Sequence, residues 1–155
     1  MISTDYALLH RQSAALFEGI RDQTANAANL AAIIYHGVEG LNWAGFYWWK
    51  DGGLILGPFQ GRPACVRIAA GRGVCGAALH GRRTLRVPDV QAFPGHIACD
   101  PKSRSEMVIP LFVGERPLGV FDLDSPRPGR FSPEDQTGLE AIAALFLANI
   151  DPESG

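Results

Sequence analysis

A chain of 155 residues is one domain by length, long enough to bury roughly two thirds of the surface its unfolded form exposes. With 14 basic and 16 acidic residues its formal net charge is −2, and the absence of a concentrated basic run beyond Arg82 and Arg83 argues against nucleic acid as a partner. MISTDYALLHRQ lacks a signal peptide's apolar core, the run Ala141 to Ile150 is about half a bilayer span, and three cysteines cannot pair completely, so secretion and membrane insertion are not expected and a reducing cytoplasm is.

From Ser3 to about Gly37 the pattern is helical. Tyr6, Leu9, Leu16, Phe17 and Ile20 make one apolar stripe, and Leu30, Ile33 and Ile34 make a later one. Gly19 and the polar stretch after it divide this region into two helices, the second starting near Asp22 or Thr24, either of which can cap it. Asn42 to Lys50 is aromatic enough to be a strand. Its alternation sends Trp43, Gly45, Tyr47 and Trp49 to one face and Ala44, Phe46 and Trp48 to the other, so one face can fill a core and leave the other to wall a cavity. Asp51 to Gly53 signals a hairpin turn returning through Leu54 to Leu56.

GPFQGRPA, from Gly57, is expected to be a loop, followed by a short strand from Cys65 to Ile68 with Cys65 and Arg67 on one face. Gly71 and Gly73 turn the chain into a short helix that carries Cys75, Ala78 and Leu79 and ends near Gly81. The glycines lack the endings of a phosphate loop or a dinucleotide fingerprint. After a brief strand from Thr84 to Val87, Pro88 to Ser103 is a long connection holding His96 and Cys99. Connections of such length inside a compact domain are usually functional, and a lid is the natural interpretation.

The next hairpin is the most informative stretch. In Glu106 to Val113 the odd residues Met107, Ile109, Leu111 and Val113 form an apolar face, and in Leu118 to Asp124 Phe121 and Leu123 do the same. If both strands commit their odd residues to one core, Glu106, Asp122 and Asp124 converge on the opposite surface. Such a group is either a solvated acidic face or a functional cluster. Pro110 is awkward for a central strand and points to a bulge or an unpaired edge. Ser132, Pro133, Glu134 and Asp135 start a last helix whose Leu139, Ile142, Ala143, Phe146 and Ile150 belong to the core.

All three cysteines, Cys65, Cys75 and Cys99, fall in one stretch, spaced too unevenly for the common zinc pairs. Redox or nucleophilic chemistry, a partial metal site using His96 beside Cys99, and burial as small hydrophobes are the open readings.

The segments NWAGFYWW from Asn42, LGPFQGRPACVRI from Leu56, GRGVCG from Gly71, VPDVQAFPGHIACD from Val87, SRSEMVIPLF from Ser103 and GVFDLDSP from Gly119 together resemble the free methionine-(R)-sulfoxide reductases, a catalytic branch of the GAF superfamily. The spacing of the three cysteines agrees with that family. The resemblance implies an α+β fold: a single GAF-like domain over residues 1–155, with a central antiparallel sheet, helices packed on one face and a long lid loop over a pocket. It raises Trp43 and Tyr47 to substrate-lining residues, places the family's carboxylates on Glu106, Asp122 and Asp124, and implies a homodimer.

The chemistry so implied needs a soft nucleophile at sulfur and a proton donor at oxygen. Cys99 is the expected nucleophile, passing through a sulfenic acid to a disulfide with Cys65, or with Cys75 as the competitor. An external dithiol, thioredoxin, restores the thiols, and no metal or organic cofactor is required. Crowded carboxylates push one pKa upward, so Glu106 or Asp124 can stay protonated to serve the oxygen while Asp122 or its neighbour meets the substrate ammonium. Trp43 and Tyr47 would hold the methyl group and attract the ammonium. The rivals are a noncatalytic GAF sensor with reporter cysteines and a thiol peroxidase.

Overall fold

A computed structural model describes residues 3–97 and 99–153. Among them are four helices, α1 (Tyr6–Phe17), α2 (Gln23–Gly37), α3 (Gly73–Gly81) and α4 (Pro133–Ala148). Six strands, β1 (Trp43–Lys50), β2 (Gly53–Gly61), β3 (Arg67–Ala69), β4 (Leu85–Val87), β5 (Ser105–Val113) and β6 (Arg116–Ser125), form one antiparallel sheet in the order β3-β2-β1-β6-β5-β4.

The helices begin where side chains supply the missing acceptors. Asp5 accepts from the Leu8 N–H at 3.0 Å and Asp22 from the Ala25 N–H at 2.8 Å, each satisfying a donor that has no partner within its own helix. Gly19, at φ +74°, breaks the chain between α1 and α2 as expected. At the start of α4, Ser132 and Asp135 cap each other reciprocally. Asp135 also accepts from Tyr6 Oη at 2.5 Å and from Arg130 Nη1 at 3.0 Å, tying α1 to α4. Burial raises the Asp135 pKa. Its bonds from the Ser132 backbone and Tyr6, with the Arg130 charge, more than offset this and hold it below its ordinary value.

The β1–β2 hairpin turns on Asp51 and Gly52, both at positive φ, the geometry of a two-residue turn that matches strand twist. Alternation then divides the sheet into two faces. Ala44, Phe46, Met107, Ile109, Leu111, Phe121 and Leu123 pack beneath α1, α2 and α4, with Phe46 and Phe121 stacked at 4.6 Å. Trp43, Tyr47, Val108 and Val120 face the other way, where they meet Val74, Cys75, Ala78 and Leu79 of α3. Three helices therefore share one face, as the resemblance implies, while the short α3 sits alone on the other. It is clad in small residues and buried along most of its length, so its sequence carries little sign of which side it takes.

Two local expectations are corrected. Gly57–Gly61 is strand, not loop: the register slips between Gly45 and Tyr47, so Gly57 and Pro58 together oppose Phe46, and this bulge accommodates the proline. The strand expected from Cys65 begins only at Arg67, leaving Cys65 and Val66 in the preceding bend, with Val66 exposed. Pro110 pairs with Val120 on one side and lies beyond the end of β4 on the other, the unpaired edge its ring requires.

Candidate active site

The α3 face of the sheet carries a cavity. Its floor is set by register: Trp43 pairs with Asp124 and Asp124 with Glu106, so three side chains on three strands form one row. One row along, Asp122 pairs with Gly45. The missing side chain at Gly45 matters, because a Cβ there would lie 2.8 Å from both the Trp43 ring and Phe59 Cα. Trp43 uses that space to lie between Phe59 (5.3 Å, 16°) and Tyr47 (5.8 Å, 25°). Its Nε1 donates to the Arg62 carbonyl at 3.2 Å, and Tyr47 Oη donates to the Cys65 carbonyl at 3.0 Å. The aromatic pair therefore also fixes the loop that brings Cys65 to the rim.

The wall opposite the aromatics is the first turn of α3, with Cys75, and the rim includes Ala64, Ile97 and Cys99. Cys65 and Cys99 form a disulfide, with Cα atoms 5.4 Å apart at a sequence separation of 34. Cys75 is a buried free thiol, its Sγ 4.0 Å from Glu106 Oε2. With Cys99 in a disulfide, the partial metal site left open for His96 and Cys99 has no thiolate in this state. His96 lines the cavity, its pKa lowered by burial.

Glu106 is 7% and Asp122 4% exposed, while Asp124 opens partly to the cavity. Among the described residues, none of the three forms an ion pair. Burial, and then the charge of Asp122, raises the Glu106 pKa well above the carboxylate range. Asp124 is raised by burial and then by Glu106. Asp122 is pushed up to about 8 by burial and then by Asp124. Burial and the same acids raise Cys75, holding it as a thiol, and raise the Tyr47 phenol. The pocket is a set of neutral oxygen acids suited to a polar or cationic guest. Asp122 Oδ1, buried, has no hydrogen-bond partner among the described residues.

Every residue singled out from the sequence, Cys65, Cys75, Cys99, Glu106, Asp122, Asp124, Trp43 and Tyr47, is thus at this cavity or bonded to its rim. Sequence reasoning missed Phe59, hidden in a segment taken for loop, and Asn42. Asn42 Nδ2 donates to Asp100 Oδ2 and to Ser103 Oγ, both at 3.1 Å, pinning the segment after Cys99 to the foot of β1. A polar residue just before an aromatic strand was the only available signal.

A six-stranded antiparallel sheet with three helices behind it and a cavity in front is the arrangement of a GAF domain, and the GAF domain family model matches residues 5–150. Within that class, the chain belongs to the free methionine-R-sulfoxide reductases, a family of oxidoreductases. The free methionine-R-sulfoxide reductase of Escherichia coli (strain K12) is 49% identical over 139 residues, covering 90% of this chain and 84% of that protein. Protein YtsP of Bacillus subtilis (strain 168) is 52% identical over 141 residues, covering 90% and 86%. The solved structure of the Staphylococcus aureus fRMsr in complex with substrate superposes with a TM-score of 0.92 at 44% identity, over 96% of this chain and 97% of that one.

Proposed function

We propose that this chain reduces free L-methionine (R)-sulfoxide to L-methionine through a Cys99 nucleophile. The observation that carries the reading is a cysteine pair able to form a disulfide at the mouth of a cavity floored by neutral carboxylic acids. The family's named members and the substrate complex of the S. aureus relative support the choice of substrate.

In the reduced protein the Cys99 thiolate attacks the sulfoxide sulfur while Glu106 or Asp124 gives its proton to the oxygen. The sulfur–sulfur bond so formed then breaks as the oxygen passes from the substrate sulfur to Cys99, which becomes a sulfenic acid, and methionine departs with the electron pair. The Cys65 thiol then displaces that oxygen as water, forming the disulfide. Two exchanges with a dithiol, thioredoxin in this reading, return both thiols. Per cycle, one sulfoxide and two thiols become one sulfide, one disulfide and one water.

The acids serve in two protonation states. Glu106 and Asp124, crowded together, keep the proton the oxygen requires, whereas a substrate ammonium draws Asp122 into its charged form and supplies the partner that Asp122 Oδ1 lacks among the described residues. Trp43 and Tyr47 hold the methyl group and face the ammonium. A peptide-bound methionine has no such charge to offer, which favours the free amino acid. The protein works as a cytoplasmic homodimer in this proposal.

The test follows thioredoxin-dependent loss of both sulfoxide epimers, free and within a peptide. Turnover is expected for the free R epimer and none for Cys99→Ser, while Cys65→Ser gives a single stoichiometric release of methionine. Retained turnover in Cys99→Ser would refute the nucleophile. Binding without turnover in the unaltered protein would leave a sensor.

A further inference from the structure

Cys75 has no part in the Cys99–Cys65 chemistry, and although it packs among the apolar side chains on the α3 face, its Sγ also lies beside the acids. Its Sγ, a Glu106 carboxylate oxygen and an Asp122 carboxylate oxygen all lie within 4.8 Å of one another, and all three residues are buried. Four-coordinate zinc holds sulfur and oxygen donors roughly 3.3–3.8 Å apart, at metal–ligand distances of about 2.0–2.3 Å. The Cys75–Glu106 separation of 4.0 Å closes to that value by a few tenths of an ångström. A second observation points the same way: Asp122, 4% exposed and lining the cavity, keeps Oδ1 without a hydrogen bond among the described residues. An acceptor so placed is costly unless something electropositive occupies the space beside it.

We propose that Cys75, Glu106 and Asp122 form a zinc site whose occupation excludes substrate. One thiolate and two carboxylates make a mixed donor set that suits a borderline cation. Calcium and magnesium prefer all-oxygen shells of six or more ligands, which three buried side chains do not supply. On binding, the Cys75 thiol loses its proton to solvent and a Zn–S bond forms. The carboxylates ionise against the same dication, and the fourth position faces the cavity. That the metal competes with substrate rests on the reductase reading, because it would occupy the place of the ammonium and consume an acid proton. Metal binding itself does not depend on that reading.

The experiment uses the chain with its Cys65–Cys99 disulfide intact, so that Cys75 is the one thiol present. The protein is stripped with chelator and titrated with Co2+, then with Zn2+. One Co2+ per chain is expected, with a thiolate-to-cobalt charge-transfer band that Zn2+ abolishes. X-ray absorption of the zinc form should find one sulfur and otherwise oxygen donors, which requires no variant. The charge-transfer band should vanish in Cys75→Ser. Affinity should fall by about tenfold or more in Asp122→Asn, a group bonded to the metal being worth at least as much as one that only orients a ligand. Substoichiometric binding, a zinc shell without sulfur, a band surviving Cys75→Ser, or unchanged affinity in a folded Asp122→Asn would each overturn the site. None of these readouts involves turnover, so an inactive enzyme and an absent metal site remain distinct results.

Discussion

Replacing Asp122 by asparagine should change not only how stable the protein is but how that stability depends on pH. In the fold Asp122 titrates at about 8, raised by burial and by Asp124, whereas in the unfolded chain its carboxyl releases its proton near pH 4. Between those values the native state holds a proton that the unfolded state has lost. Its contribution to stability is therefore complete below about pH 4 and lost as pH rises towards 8. The loss is about 1.4 kcal/mol per pH unit, or ~4 kcal/mol from pH 5 to pH 8, a large part of a small domain's margin. The asparagine side chain does not titrate, but its buried amide donors lack partners and cost ~1–3 kcal/mol at every pH. The two stability curves should cross at about pH 5 to 6, the variant being the more stable above the crossing. Urea denaturation of both proteins across that range, with the disulfide intact and chelator present, measures this directly. Parallel curves would show that Asp122 is not held neutral in the fold.

Asn42→Ala removes two hydrogen bonds to the lid, at about 1 kcal/mol each, and should speed amide exchange in residues 99–103 and raise the KM for sulfoxide more than it lowers kcat. Unchanged exchange there would show that Asn42 is not the anchor. Asp135→Ala leaves the Arg130 guanidinium, 14% exposed, without its carboxylate and undoes the α4 cap, so denaturation should reveal a loss of about 3–5 kcal/mol. Because Asp135 is held below its ordinary pKa, its contribution should be present above the carboxylate range and fade as pH falls through it, opposite in sign to Asp122.

The features legible in the sequence were those fixed by short-range rules. A period of two in β5 and β6, with a shared core face, puts Glu106, Asp122 and Asp124 on the same opposite surface, while the turn and bulge set which of them pair directly. Asp22 and Ser132 cap helices by chemistry reaching only three residues ahead. What escaped depended on partners far away in sequence. The segment from Gly57 has a loop's composition, and only the bulge opposite Phe46 makes it a strand. Asn42 gains its meaning from Asp100 and Ser103 once the lid has folded back. That Cys65 is bonded to Cys99 while Cys75 stays free follows from which loops the topology places at the rim, a fact that spacing in the chain does not encode.

Cys65 lies in the connection to β3 and Cys99 in the connection from β4, and β3 and β4 are the two outermost strands of the sheet. A bond between them buckles the whole curved surface shut like a clasp across its open side. If that bond forms once per turnover, the spent protein carries a covalent tie between its two sheet edges until a dithiol releases it. Commitment to one turnover per reducing dithiol then needs no separate gatekeeper, because a sulfur held in that bond has no thiolate with which to attack again.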